Sequence, residues 1–166
     1  LKKFSGVQRR MTKIFSKNKN DFYDDYAHHP TEIASILEGV KNVYQNRKII
    51  TIFEPHRYSR VLSLKNKFVR SFEKSDLVLI CPMYAAGEKR DSRFKIIEFS
   101  KQISKLSKTQ VIIIKNYKEI QKFLKKNLVS DEIIIGMGAG VISKHMRELE
   151  TFLWKSIESW LKNLIT

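Results

Sequence analysis

The sequence predicts an α/β fold: a doubly wound, mainly parallel sheet with an antiparallel edge strand and helices on both faces. Short runs rich in isoleucine and valine alternate with segments whose apolar residues recur every three or four positions, the periods of buried strands and amphipathic helices. Strict alternation of the two implies parallel strands joined by helical crossovers. With 166 residues, 42% of them hydrophobic, the chain can build one domain with its own core.

The first predicted elements are a hairpin and a helix. Residues 11–15 and 21–25 flank the polar connection 16–20, which predicts an antiparallel edge strand leading into the first parallel strand. Pro30 suits the first turn of a helix that continues to about Tyr44, because its fixed φ fits that turn and its missing N–H is not needed there. The buried face of this helix is marked by Ile33, Ile36, Leu37, Val40 and Tyr44.

Strands and helices then alternate along the rest of the chain. Lys48–Phe53 is a near-continuous β-branched run, which is typical of a strand covered on both faces. The three strands predicted after it are Leu77–Cys81, Val111–Ile114 and Ile133–Ile135. A helix precedes each of them, and the apolar positions of these helices are, in order, Leu64, Phe68 and Phe72; Ile96, Phe99, Ile103 and Leu106; and Ile120, Phe123 and Leu124. A long helix follows the last strand, with apolar positions Met146, Leu149, Phe152, Leu153, Trp160, Leu161 and Leu164.

The net charge of +15 raises the possibility of nucleic-acid binding. The lysines are spread over every predicted helix and no nucleic-acid-binding motif is present, so a solvated basic surface is favoured and no nucleic-acid partner is expected. No apolar run approaches the roughly 20 residues that cross a bilayer, so no membrane partner is expected either. The single Cys81 excludes an intramolecular disulfide and is compatible with a reducing cytosol. Leu1 is expected to be an interior position of a longer protein.

Polar and charged residues follow several of the predicted parallel strands. The carboxyl ends of parallel strands meet at one edge of a sheet, where ligands bind in open α/β folds. We therefore expect a binding site there, formed by Asp24, Asp25, His28 and His29 after one strand, His56, Arg57 and Arg60 after the next, Tyr84 to Glu88 after a third, and Gly136 to Gly140 after the last.

The residue types in this cluster limit its chemistry. Arg57 and Arg60 lie three residues apart, so their planar, permanently charged guanidinium groups can reach one side of a turn, as suits a carboxylate or phosphate. A zinc site is not expected, because adjacent histidines such as His28 and His29 seldom converge on one ion and no second spaced set of ligands exists.

Neither of the two common nucleotide-binding motifs is present in its full form. Gly136-Met137-Gly138-Ala139-Gly140 follows a strand and precedes a helix, but its spacing departs from the dinucleotide-binding pattern and it closes the last βα unit. No triphosphate-cradling Gly-x-x-x-x-Gly-Lys-Ser/Thr loop and no nucleophile elbow occur. We expect no catalytic residue in this chain.

The string from Asp24 to Glu32, Asp-Asp-Tyr-Ala-His-His-Pro-Thr-Glu, resembles the signature that opens the C-terminal domain of the Mur ligases, ATP-dependent enzymes of bacterial cell-wall synthesis. Residues 6–11 resemble the stretch where the family's central ATP-binding domain ends, with Met11 for the usual Phe. His56–Arg60 and Tyr84–Glu88 resemble two further family motifs, and the resemblance covers roughly residues 4–150. It implies a Rossmann-like fold, with residues 1–12 as the tail of the preceding domain and 13–166 as the C-terminal domain.

The motifs are most similar to those of the family member that joins L-alanine to UDP-N-acetylmuramate through an acyl phosphate. This resemblance implies ATP and Mg²⁺ held mostly by the central domain, preceding ATPase and UDP-sugar domains as partners, and a bacterial cytoplasmic location. A murein-peptide-recycling ligase has similar motifs and stays an alternative. So do a free-standing small-ligand-binding module and a nucleic-acid-binding module. A chain without the phosphate-binding parts is expected to be inactive alone.

The resemblance also implies roles for individual residues. It assigns His28, Arg57, Arg60, Tyr84 and Gly87 to the substrate, and Asp25 and His29 to the ATP side. Asp24, Tyr26 and His56 are expected to contact these residues and hold them in place, without binding the ligands themselves.

Overall fold

A six-stranded sheet forms the middle layer of the domain, in a computed structural model that describes residues 9–164 and the side chains up to residue 154. Gly6 of the interdomain motif and the side chains of Trp160, Leu161 and Leu164 therefore lie outside the described part. The strand order is β1-β2-β6-β3-β4-β5. The strands are β1 (Thr12–Lys17), β2 (Asn20–Asp25), β3 (Lys48–Phe53), β4 (Leu77–Ile80), β5 (Gln110–Ile113) and β6 (Glu132–Met137). Only the β1–β2 pair among these described strands is antiparallel, so the predicted fold is confirmed.

Helices cover both faces of the sheet, and each face has its own apolar cluster. The first cluster joins the sheet to α1 (Pro30–Val43), α3 (Lys65–Phe68) and α4 (Ile96–Ser107), with α2 (Tyr58–Ser63) on the same side. The second joins it to α5 (Tyr117–Asn127) and α6 (Ile142–Leu164). In β6, Ile133 and Ile135 belong to the first cluster and Ile134 to the second. This alternation shows that β6 is buried on both faces.

Strand β6 occupies the position that creates a ligand crevice. It lies between β2 and β3 in the sheet. The helix after β6, α6, packs on the face of the second cluster, whereas α1 and α2, which follow β2 and β3, pack on the face of the first. The register of β6 places Met137 opposite both Asp25 and Phe53, and Phe53 lies opposite Ile80. Four strands therefore end in one row, and the crevice outside that row is where open α/β sheets bind ligands.

Several element boundaries differ from the sequence prediction: β4 ends one residue earlier, β5 is shifted by one residue, and three differences are larger. The hairpin turn is only Asn18-Lys19, both with positive φ, a conformation that matches the twist of paired strands, so β1 and β2 are longer than expected. The helix predicted through Phe72 is two short helices, and Phe72 is buried in the turns after them. Strand β6 continues through Gly136 to Met137, paired with β2 and β3, and the missing side chain of Gly136 leaves room for Met146 of α6.

Arg47 holds the amino end of the sheet together. Its guanidinium donates to the Asp21 carboxylate at 2.6 Å and to the carbonyls of Lys19 and Glu132 at 2.6 and 2.9 Å. It also pairs with Asp131 at 2.9 Å. Burial alone would raise the pKa of Asp21, but the hydrogen bonds it receives, among them that from Arg47, outweigh burial and lower it to about 2. One side chain thus ties the hairpin to the start of β6.

We expect Arg47→Ala to lower the free energy of unfolding by about 2–3 kcal/mol, since it removes several charge-assisted hydrogen bonds and leaves partly buried acceptors without a donor. Arg47→Lys should recover only part of the loss, because a point charge cannot reach all these acceptors. Urea denaturation of the purified chain measures both. Arg70→Ala, an exposed control, should change stability by less than about 0.5 kcal/mol. An equally small effect at Arg47 would contradict this assignment.

Candidate functional site

A row of four rings follows the carboxyl edge of the sheet. The ring centroids of Tyr26 and His28 lie 5.0 Å apart, those of His28 and His56 5.7 Å, and those of His56 and Tyr84 5.4 Å. The guanidinium of Arg9 extends the row, 4.9 Å from the centre of the Tyr26 ring. The structure therefore brings together the residues predicted after β2, β3 and β4.

Asp25 forms one end of the site, at the last position of β2. Its carboxylate is buried and accepts hydrogen bonds from the backbone N–H groups of Met11 and Ala27, both at 2.7 Å. Burial raises the pKa of Asp25 and outweighs these two hydrogen bonds, which lower it. A cavity of about 410 Å³ opens beside it, lined by Asp25, Tyr26, Arg10, Met11 and the first turns of α1.

The neighbouring Asp24 carboxylate is fully buried and faces a different set of partners. It accepts a hydrogen bond from Ser143 Oγ at 2.5 Å, and its Oδ2 lies 3.4 Å from Arg9 and 3.6 Å from Arg147. Arg9 also donates to the carbonyl of Gly138 at 2.5 Å. Asp24 therefore joins the segment before β1, strand β2 and helix α6 beneath the row of rings.

The two adjacent histidines have different local roles. His29 is the N-cap of α1, and its Nδ1 accepts the backbone N–H of Thr31 at 3.3 Å. The Glu32 side chain accepts the backbone N–H groups of both His28 and His29, which completes a capping box. The His28 ring instead lies in the row, with its Nδ1 2.9 Å from the Tyr26 carbonyl. Helix capping leaves Nε2 of His29 available for a ligand.

His56 and the two arginines after it form the other end of the site. Nδ1 of His56 lies 3.1 Å from the Arg60 guanidinium. Burial lowers the pKa of His56, and the positive charge of Arg60 lowers it further, so its ring is neutral at neutral pH. Arg57 has a φ of +66° at the start of α2, and its exposed guanidinium has no hydrogen bond or ion pair among the described residues. Arg57 is therefore free to bind an anion.

The loop after β4 is held against this arginine segment by its backbone. Tyr84 N–H donates to the carbonyl of Pro55 at 2.8 Å, and Arg57 N–H donates to the carbonyl of Tyr84 at 2.9 Å. Glu88 accepts hydrogen bonds from both the hydroxyl and the backbone N–H of Ser59. Gly87, with a φ of +86°, provides the turn between them and is exposed.

Glu54 is buried beneath the site and is not among the residues predicted from the sequence. Its side chain has no exposed surface, one carboxylate oxygen accepts a short hydrogen bond from the Tyr117 hydroxyl, and the other has no partner in the described structure. A methyl group on Gly140 would overlap that second oxygen and would lie 2.6 Å from Cγ of Tyr84. A glycine at position 140, in the turn after β6, is therefore needed for close packing over Glu54.

Other missed residues are Arg9, Tyr117, Ser143 and Arg147. A carboxylate directly after a buried strand and before Pro55 was a usable signal for Glu54. Tyr117, Ser143 and Arg147 carry no local signal, because they reach the site only through the crossover of the chain to the other face of the sheet.

The described residues offer neither a metal cluster nor a membrane-spanning helix. No group of three His, Cys, Asp or Glu side chains converges there in a way that could hold a metal ion. Within the same part of the chain, no helix combines the length and the apolar character needed to span a bilayer.

Comparison with known proteins identifies similar sequences along most of the chain. The family model described as "Mur ligase, glutamate ligase domain" matches residues 9–140. The chain is 49% identical over 149 residues to a UDP-N-acetylmuramate–L-alanine ligase of Pelagibacter ubique, which covers 90% of this chain and 32% of that protein. A ligase of the same name from Hydrogenobaculum is 36% identical over 148 residues, 89% of this chain and 32% of that protein. The chain thus spans about a third of the length of these curated relatives.

Solved structures agree with the fold. A UDP-N-acetylmuramate-alanine ligase from Thermotoga maritima has a TM-score of 0.73 at 25% identity, covering 92% of this chain and 31% of that one. A murein peptide ligase from Psychrobacter arcticus has a TM-score of 0.72 at 22% identity, covering 91% and 31%, and shows the fold alone.

Gly140→Ala should lower the free energy of unfolding by about 1–3 kcal/mol, because the added methyl group overlaps Glu54 and the Tyr84 ring. The matched control is Gly39→Ala in the middle of α1, where a methyl group meets nothing within 4 Å. That change should stabilise the chain by about 0.5–1 kcal/mol through helix propensity. Thermal and urea unfolding measure both variants, and equal stabilisation by the two would disprove the close packing at Gly140.

Proposed function

This chain belongs to the Mur ligase family, whose glutamate ligase domain it matches, and we propose that it is the amino-acid-binding C-terminal domain of an ATP-dependent ligase that joins L-alanine to UDP-N-acetylmuramate. In the proposed reaction ATP phosphorylates the muramoyl carboxylate, the alanine amine attacks the acyl phosphate, and inorganic phosphate leaves. The observation that carries the proposal is the pair Arg57 and Arg60 beside the ring row, in a chain 49% identical to a ligase of that name.

Arg57 and Arg60 are proposed to bind the carboxylate of alanine. Arg57 has an exposed guanidinium without a partner in the described structure, so it can bind a carboxylate without breaking an existing ion pair. Arg60 is oriented by His56, whose neutral ring accepts its hydrogen bond. His28, Tyr84 and Gly87 are proposed to border the amino acid, with His28 and Tyr84 on either side of His56.

Asp25 and His29 are proposed to form the ATP side: Asp25 lines the cavity beside α1, and His29 caps the start of that helix. The cavity volume of about 410 Å³ suits part of a nucleotide, and Arg10 and Thr31 add polar groups to its wall. The Asp25 carboxylate orders this wall through Met11 and Ala27, and the unused lone pairs of its oxygens remain for a ribose hydroxyl. Asp24, Tyr26 and His56 support the contact residues.

Asp24 is not available as a Mg²⁺ ligand. Asp24 is already paired with Arg9, Arg147 and Ser143, and no three-ligand cluster occurs among the described residues. We therefore propose that Mg²⁺ and the ATP phosphates are held by the preceding ATPase domain, with residues 1–12 as its tail and 13–166 as this domain. Closure of the two domains would exclude water from the acyl phosphate.

The murein-peptide-recycling ligase is the second candidate. The two solved structures have nearly equal TM-scores, 0.73 and 0.72, so the fold does not separate them. The 49% and 36% identities are both to alanine ligases and favour the first candidate. Because the proposed substrates ATP and a UDP-linked sugar are cytoplasmic compounds, we place the reaction in the bacterial cytoplasm.

Arg57→Ala and Arg60→Ala, made in the full-length ligase that contains this domain, should each lower kcat/KM for L-alanine by about 10²-fold, since each removes a charged hydrogen-bond donor from the substrate carboxylate. Lysine at either position should restore only part of the activity. Steady-state phosphate release at varied alanine concentration measures the effect. Arg70→Ala serves as the control, and wild-type kinetics in both site variants would refute the role.

The isolated chain should fold cooperatively but remain inactive, because phosphoryl transfer depends on phosphate-binding and metal-binding parts that it lacks. Phosphate release from ATP with UDP-N-acetylmuramate and alanine should equal the background rate. Addition of the ATPase and UDP-sugar domains in the same polypeptide should restore turnover. Alanine-dependent turnover by the isolated chain would show that the site is complete without them.

A further inference from the structure

Glu54 has an environment that a purely structural carboxylate seldom has. It has no exposed surface, and no cation of the described structure pairs with it. Only one of its oxygens has a hydrogen-bond donor, the Tyr117 hydroxyl, while Oε1 has none. Because an incompletely paired buried carboxylate is costly, an apolar side chain would give a more stable domain at this position. A role in the site therefore accounts for it better than stability.

The contacts of Glu54 connect helix α5 to the loops at the carboxyl edge of the sheet. On one side it accepts from Tyr117, whose ring stacks on His145 of α6 with centroids 4.0 Å apart. Burial and the hydrogen bond to Glu54 raise the pKa of Tyr117, so its hydroxyl stays protonated and remains a donor. On the other side, Oε1 lies under Gly140 where the Tyr84 ring also packs.

The Tyr84 ring connects the surroundings of Glu54 to the arginine segment through His56. It stacks on His56 with an interplanar angle of 22°, and His56 in turn contacts Arg60. The backbone makes a second connection, because Glu54 N–H bonds the Met137 carbonyl at 2.9 Å and its chain continues directly into Pro55, His56 and Arg57. A shift of Glu54 would therefore move both the ring row and the arginine segment.

We infer that Glu54, held by Tyr117, is a positioning residue that fixes Tyr84 and His56 and so aims Arg57 and Arg60 at the carboxylate of the amino acid. This inference rests on the proposed function for the identity of the ligand. It assigns Glu54 no contact with substrate. The acceptor and the shape of the side chain, shared by glutamate and glutamine, are the properties that matter.

The test compares four variants of the full-length ligase by their separate kinetic constants. Glu54→Ala and Tyr117→Phe should each raise KM for L-alanine by about tenfold, because a misplaced binding group weakens substrate binding. KM for ATP should change by less than about twofold. Glu54→Gln should stay within about threefold of the wild type, since its amide oxygen still accepts from Tyr117. Tyr23→Phe, which removes the hydroxyl that contacts Tyr44 at 3.1 Å, is the matched control and should leave both constants unchanged.

Two kinetic results would overturn the inference. The first is an alanine KM within twofold of the wild type in both Glu54→Ala and Tyr117→Phe. The second is an equal rise of KM for alanine and for ATP, which indicates general loosening of the domain. If Glu54→Ala does not fold, Tyr117→Phe decides alone, because it removes a single oxygen atom.

A measurement without substrate separates this inference from the proposed function. In the ¹³C-histidine-labelled 166-residue chain, Tyr117→Phe should move the His56 resonance and shift its pKa toward the ordinary value, because the ring becomes less buried. Tyr23→Phe should not. A wild-type ligase that does not use alanine would refute the proposed function alone. An unchanged His56 titration in Tyr117→Phe would refute the positioning role, whatever the substrate.

Discussion

The register of β6 between β2 and β3 is the constraint on which the whole site depends. Met137 lies opposite both Asp25 and Phe53, so the loops that follow three different strands begin at one level. A slip by one residue would turn every isoleucine of β6 to the wrong face, and the two separate apolar clusters oppose that slip. The packing of the core thereby determines where Asp25, His56 and the glycine turn stand relative to one another.

Charge is distributed unevenly along the edge that this register creates. At the Asp25 end, the buried Asp25 carboxylate accepts two backbone N–H groups, and the buried Asp24 carboxylate is paired with two arginines. At the His56 end, the ring is neutral and Arg57 is unpaired in the described structure. One edge thus offers acceptors for hydroxyl groups at one end and a cation for an anion at the other. This polarity is consistent with the proposed arrangement, in which a nucleotide binds at the Asp25 end and an amino acid at the Arg57 end.

The sequence was sufficient for the features that depend on local pattern. Isoleucine-rich runs, helical periods and residues placed after strands predicted the sheet and the meeting of His28, His56 and Arg60. The sequence was insufficient for features that depend on contacts between residues far apart in the chain. The Asn18-Lys19 turn replaced a longer connection, and residues such as Tyr117 reach Glu54 across 63 positions of sequence. The roles assigned to these residues in binding alanine and ATP remain predictions, because they depend on contacts with the ligands and with the proposed ATPase domain.

The central position of β6 has a consequence for how the chain is made. Strands β2 and β3 both pair with β6, which begins more than 100 residues after β2 ends. The β2–β6 pairing is therefore a contact of high sequence separation. At ribosomal speed that interval lasts about 5–20 s, during which two apolar strand edges of the nascent chain have no native neighbour. We therefore expect that substitutions which slow the insertion of β6 reduce the yield of soluble protein before they reduce its equilibrium stability.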